Sequence, residues 1–161
     1  MLRASGLITM GDRAPGAPAV ADPFTGEVFH TDGETAWVRR EETVDTRLEP
    51  TAATSVGDVN LDPPFPKAPG VRAVDLLAHP GFAGRFRPRV VSTTPALAWV
   101  AAGKRAAYVT DGADLSGSVH FAAGIALCQA AGCTLTGIDG APSDREAAGS
   151  LLPPIATPMS C

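Results

Sequence analysis

The chain has 161 residues, 45% hydrophobic and 19% charged, with a formal net charge of −4. That suits one folded domain with a substantial core and excludes an intrinsically disordered chain. The acidic balance argues against nucleic acid or an anionic membrane as the main partner, and no apolar run approaches the ~20 residues of a membrane-spanning helix.

The first residues, "MLRASGLITMGDRAPG", have too short an apolar core for a secretory signal, so a cytoplasmic protein is expected. Three cysteines, Cys128, Cys133 and Cys161, follow no framework spacing and are expected as reduced thiols. Cys128 and Cys133 lack the second pair or histidine cluster that a metal site needs. Arginine far exceeds lysine, and Ala, Gly and Pro are abundant. That looks like GC-rich bacterial coding and carries no chemistry.

Up to about Pro88 the chain is rich in turns with short β-like runs: "GLITM" (6–10), "EVFH" (27–30), "TAWVR" (35–39), "VDTRL" (44–48) and "DVNL" (58–61). Breakers such as "GDRAPGAP", "ADPFTG" and "DPPFPKAPG" separate them. "EVFHTDGETAWV" reads as a hairpin turning at Asp32-Gly33. An antiparallel sheet over 6–61 is expected. "VRAVDLLAHPGF" reads as a short helix stopped by Pro80-Gly81.

From Arg87 the pattern becomes α/β. "RPRVV" is a strand. "STTPALAWVAAGK" is a helix with Ser92 or Thr93 as N-cap, Pro95 in its first turn and Gly103 as C-cap. "RAAYVT" is a strand, and "SVHFAAGIALCQAAG" is a helix capped by Ser116 or Ser118 and ended by Gly132. Its buried face is read as Phe121, Ile125 and Cys128, with Ala122 and Ala131. "CTLTGID" is a strand, and the tail holds one more around Ile155.

The string "STTPALAWVAAGKRAAYVTDG…SVHFAAGIALCQAAGCTLTGIDGAP", from Ser92 to Gly140, resembles the inositol monophosphatase family in the order and spacing of its words. The family runs Gly-Ser-x-Ala-Leu, Val-Ala-x-Gly, x-Ala-Tyr, Trp-Asp-x-Ala-Ala-Gly, Glu-Ala-Gly-Gly and Asp-x-x-Gly. Upstream, "AVADPFTGEVFHTDGETAWVR" is similar to the family's mid-domain hairpin, so the likeness covers 6–157 and begins partway into the family's fold. It implies a single domain over 1–161: a shortened layered α/β (α+β) sandwich with an antiparallel part at 6–61 and an α/β part at 87–157.

Members of that family resemble one another in holding Mg²⁺ with carboxylates from an N-terminal Glu, a D-P-[LI]-D-G-T loop and the Trp-Asp helix start. Here Val119-His120 stands for Trp-Asp, and Thr110 stands at the acidic position after the Tyr strand, with Asp111 one residue on. "DPFTGE" (22–27) fits the hairpin better than a decayed metal loop, because "EVFHTDGETAW" continues it. Under either alignment at least two ligands are lost, and a lone imidazole does not replace a carboxylate pair for Mg²⁺. No metal and no cofactor are expected.

The resemblance places His120 at the old cleft as a candidate acid or base, with Asp111 and Asp114 as candidate orienting carboxylates. Ser92, Thr93, Thr94 and Ser118 are candidate substrate contacts at helix starts. For each the plain alternative is a capping or turn residue. Three functions stay open. The leading one is a degenerate family member without ordinary Mg²⁺-dependent phosphatase activity, recruited to another role as a metal-independent biosynthetic enzyme acting on a small molecule in the remnant cleft. The second is a non-catalytic subunit that pairs with itself or with a related chain, covering sheet surfaces that shortening uncovers. The third is a residual Mg²⁺-dependent phosphatase of small sugar or inositol phosphates.

Overall fold

The structure is a computed structural model and describes residues 6–7, 18–41, 43–61, 72–110, 118, 120–137 and 150–152. Five strands run antiparallel in chain order: β1 (Gly6–Leu7), β2 (Ala19–Asp22), β3 (Glu27–Thr31), β4 (Ala36–Arg40) and β5 (Thr46–Arg47). In β3, Glu27, Phe29 and Thr31 are buried while Val28 is exposed and His30 half-buried, the period-2 alternation of a sheet with one covered face.

Two side-chain-built turns set the register. Asp22 Oδ1 accepts from the backbone N–H groups of Phe24 and Thr25, and Gly26 (φ 69°) completes the link to β3. Asp32 Oδ1 accepts from Glu34 and Thr35, with Gly33 at φ 98°, so the Asp32-Gly33 turn lies where the sequence puts it. Both are Asx turns, in which the carboxylate mimics a backbone acceptor. "DPFTGE" is accordingly the turn between β2 and β3.

The second sheet has the order β7-β6-β8-β10-β9. Its strands are β6 (Val56–Val59), β7 (Arg87–Val90), β8 (Ala107–Val109), β9 (Thr134–Thr136) and β10 (Ser150–Leu152). The "DVNL" run therefore does not extend the antiparallel sheet: its first two residues, Asp58 and Val59, end β6, which is parallel to both β7 and β8. Gly57, Asp58 and Val59 are all buried, so this strand carries no alternation to read. β10 lies at 150–152, and Ile155 is outside the described residues.

The helix expected to stop at Pro80-Gly81 is instead two: α1 (Ala73–Ala78) and α2 (Pro80–Arg85). Proline at the first helical position loses no bond, and His79 Nδ1 accepts from Gly81 N–H at 3.2 Å as the cap. α3 spans Ala96–Ala101 with Pro95, not Ser92 or Thr93, as N-cap. Its end is closed by Gly103 N–H to Val100 O and Lys104 N–H to Trp99 O, so Gly103 (φ 68°) sits one place beyond the cap.

α4 spans Ala122–Ala131 and starts at Phe121, without a side-chain cap. Ser118 contributes its backbone carbonyl to Phe121 and Ala122 N–H, rather than its hydroxyl; Ser116 lies outside the described residues. The buried face of α4 is Ala123, Gly124, Leu127 and Cys128, while Ala122, Phe121 and Ile125 are half-buried, one step around the helix from the expected stripe.

α3 and α4 pack against the inner face of the antiparallel sheet, with Val20, Phe29, Val38, Leu97, Val100 and Leu127 in one core. Each such side chain, fully buried, contributes ~1.5–3 kcal/mol. A smaller cluster of Val59, Ala73 and Val109 carries Leu76, Leu77 and Phe82. Among the described residues no helix is long and apolar enough to cross a membrane.

Candidate functional site

β6, β7 and β8 point the same way, so their carboxyl ends meet at one edge. There Val91 N–H donates to Val59 O (3.0 Å) and Asn60 N–H to Val109 O (2.8 Å). In open α/β sheets this edge is where ligands sit. It carries buried Asn60 and Thr110, exposed Ser92 and half-buried Thr93 and Thr94. The entry to α4 borders it: the Phe121 ring lies 6.0 Å from that of Tyr108 on β8. His120 is exposed in the turn before α4, outside the helix rather than in its first turn, and Ser118 is half-buried. Asp111 and Asp114 lie outside the described residues. Of the candidates, the fold thus gathers Ser92, Thr93 and Thr94 with Asn60 and Thr110, and sets Ser118 and His120 on the adjoining turn.

The sequence did not mark Asp58, Arg105 or Trp99 as partners. Asp58 is wholly buried, and Arg105 Nε donates to both of its oxygens at 3.1 and 3.0 Å. Burial raises the Asp58 carboxyl above its ordinary range, and the charges of Arg105 and Arg89 offset only part of that. The Arg105 guanidinium lies 5.0 Å over the Trp99 ring, and Trp99 Nε1 donates to Asp22 Oδ2 at 3.2 Å. Glu27 accepts from Arg40 Nε (2.9 Å), Thr25 Oγ1 (3.0 Å) and Lys104 Nζ. This chain of contacts fastens the β2–β3 turn to the loop after α3 and to β6. It explains why Asp22, Glu27 and Asp58 are tolerated inside: buried charges persist when paired.

The other histidines have structural work. His30 Nε2 lies 3.1 Å from Asp45 Oδ2 and stacks on Trp37, and Arg39 binds the same carboxylate. His79 caps α2.

Mg²⁺ requires several hard oxygens that are free to converge. Both oxygens of Asp22, of Glu27 and of Asp58 are already engaged by protein donors. Among the described residues no group of three or more His, Cys, Asp or Glu side chains could hold a metal ion. The described residues do not fit the metal.

A pH consequence follows. For Glu27, burial raises the carboxyl, but bonds from Lys104, Thr25 and Arg40 outweigh it and hold the value low; for Asp22, N–H bonds from Phe24 and Trp99 outweigh burial likewise. Folded values below the unfolded ones mean that this stability is present above about pH 4–5 and lost as pH falls through the folded values. Asp58, raised, acts in the opposite sense: its contribution declines as pH rises between its unfolded and folded values. Glu27→Gln is expected to lower stability at neutral pH and to flatten its fall on acidification, as read by urea unfolding at stepped pH; an unchanged acid slope would contradict this.

The inositol monophosphatase family model matches residues 6–158. Solved structures share the fold at low identity. Mycobacterium tuberculosis SuhB aligns with a TM-score of 0.65 and 21% identity over 94% of this chain and 58% of its own. The Thermotoga maritima IMPase aligns with a TM-score of 0.66 and 17% identity over 92% and 55%. A Staphylococcal IMPase-II with 2'AMP bound gives 0.58 and 19% over 92% and 55%. The chain thus spans under two thirds of the length of these structures. No curated protein matches the chain.

Proposed function

The chain belongs to the inositol monophosphatase family, and we propose that it is a divergent member without ordinary Mg²⁺-dependent phosphatase chemistry. In this reading the edge formed by β6, β7 and β8 binds a small polar organic molecule in a metal-independent biosynthetic role in the bacterial cytoplasm. Ser92, Thr93, Thr94 and Ser118 contact it, and His120 serves as acid or base, oriented by Asp111 and Asp114. The observation that carries the reading is the neutralisation of Asp22, Glu27 and Asp58 by protein donors. His120 and Thr110, standing where the family resemblance puts carboxylates, support it.

The test is phosphate release from inositol monophosphate, the ligand seen on the Staphylococcal IMPase-II, together with thermal melts, each with and without millimolar Mg²⁺. No release and coincident melts are expected, since an ion bound only by the folded state raises its stability. Magnesium-dependent release would overturn the reading and return the chain to the sugar or inositol phosphatases. For the positive half, a metabolite screen by thermal shift should find a ligand whose effect is lost in Thr94→Val. His120→Ala should abolish turnover of that ligand while costing at most ~1 kcal/mol of stability.

A second reading, a non-catalytic subunit that pairs with itself or a related chain, is favoured by Phe24 (77% exposed) and Val44 (88% exposed) on the antiparallel sheet's turns. Light scattering on the same sample separates the two: a monomer at micromolar concentration removes self-pairing.

A further inference from the structure

We propose that Cys128 and Cys133 form an oxidisable dithiol, a two-electron modification site built into the end of α4. The motivation is geometric. Gly132 turns left-handed (φ 82°), Gly132 N–H bonds Gln129 O, and Cys133 N–H closes back on Cys128 O at 2.9 Å. This helix ending brings the side chains at its first and last positions together. That contact is often an apolar pair; here it holds two free, buried thiols. A disulfide needs Cβ atoms ~3.5–4.5 Å apart, and both cysteines belong to this one closed turn.

The two sulfurs have different roles. Cys133 retains 9% exposure at the surface end of the turn, whereas Cys128 has none. The neighbouring Cys128 thiol holds Cys133 below its ordinary range, while the Cys133 thiol and complete burial push Cys128 well up. Cys133 is thus the attacking thiolate. With a hydroperoxide as oxidant, the Cys133 sulfur attacks the distal oxygen, the O–O bond breaks, and an alcohol (water from hydrogen peroxide) leaves with one proton. The sulfenic acid then meets the Cys128 thiol; the S–S bond forms, the S–O bond breaks and water departs. The two thiols lose two electrons in all, and the peroxide gains them. Reduction by a small dithiol reverses the step.

The thiol proton of Cys128 has a structural use that oxidation removes: its Sγ–H donates to Leu97 O on α3 at 3.2 Å. Modification therefore acts on the α3–α4 contact.

The test uses the intact chain, treated while folded with one equivalent of hydrogen peroxide. It is then alkylated, denatured, alkylated again with a second label and mapped by mass spectrometry. A Cys128–Cys133 link, lighter by two hydrogens and lost on dithiothreitol treatment, is expected, and it should persist in Cys161→Ser. Cys133→Ser should give no link. Cys128→Ala should stop at a Cys133 sulfenic acid that dimedone traps, with circular dichroism confirming that the variant is folded. Cys133→Ser leaves the core thiol in place and keeps the proposal open to refutation if Cys128→Ala does not fold. Peroxide that leaves both thiols free in the folded wild-type chain, or that links either one only to Cys161, overturns the proposal.

Discussion

Arg105→Met is expected to remove ~3–5 kcal/mol of folding stability, the cost of stranding one member of a buried ion pair. Asp58 has no exposed surface, and both its oxygens depend on the one Nε of Arg105. The methionine keeps the aliphatic volume but leaves the carboxylate without its hydrogen-bonding cation, with only the charge of Arg89 still acting on it. The contact of the guanidinium with the Trp99 ring disappears as well, at ~0.5–1 kcal/mol. A domain of this size has ~5–15 kcal/mol in total, so the variant should be near its limit at neutral pH. Two further readings separate this account from a packing defect. Acidification should narrow the gap between variant and wild type, because protonation removes the stranded charge. Asp58→Asn added to Arg105→Met should recover stability, since the uncharged amide is cheaper to bury unpaired. Urea unfolding of the single and double variants at pH 5 and 7.5 measures both. A double variant weaker than the sum of its parts would refute the pair as the source of the effect.

That pair also marks the limit of what the sequence makes legible. Elements written in local chemistry were readable: Asp32-Gly33 demands a turn, Gly132 ends α4, and the alternation in "EVFHT" and "AWV" gives strands with one covered face. Failures came where the deciding contact is remote. The run at 58–61 was read into the antiparallel sheet, but β6, which holds its first two residues, has as neighbours Arg87–Val90 and Ala107–Val109, up to 50 residues away. No local period announces a strand buried on both faces. Asp22 with Trp99 and Glu27 with Lys104 are each 77 residues apart, and Asp58 with Arg105 is 47. Charges at such spacing read as solvated surface until the fold joins them. Ser118 misled in the opposite way. A serine ahead of an apolar run signals an N-cap, yet the chain makes one further turn and Phe121, anchored on Tyr108, opens the helix. At the candidate edge, the motif drew attention to Ser92–Thr94, whereas buried Asn60 beside them had no signal.

Two helical glycines should respond to alanine with opposite signs. In an open helix position Gly→Ala gains up to ~1 kcal/mol through helix propensity. Gly84 on α2 meets that description, with nothing within 4 Å of an added Cβ, and Gly84→Ala is expected to stabilise. Gly124 lies at the α3–α4 crossing, where an added Cβ would stand 2.7 Å from Leu97 Cβ and 2.9 Å from its Cδ1. The nearest atom is fixed to the α3 backbone, so rotating Leu97 does not relieve the clash and the helices have to separate. Separation opens the core at Leu127 and lengthens the Cys128–Leu97 bond. Overpacking of this kind costs ~1–3 kcal/mol, which exceeds the propensity gain, and Gly124→Ala is expected to lose ~1–2 kcal/mol net, with Gly124→Val worse. Truncating the neighbour discriminates the cause. Leu97→Ala removes Cγ and Cδ1 but keeps the Cβ at 2.7 Å, so in the Gly124→Ala background it should not restore stability. Thermal melts of the two single glycine variants and the double give the answer, and a Gly124→Ala midpoint at or above wild type would show that α3 and α4 do not meet as closely as the crossing requires.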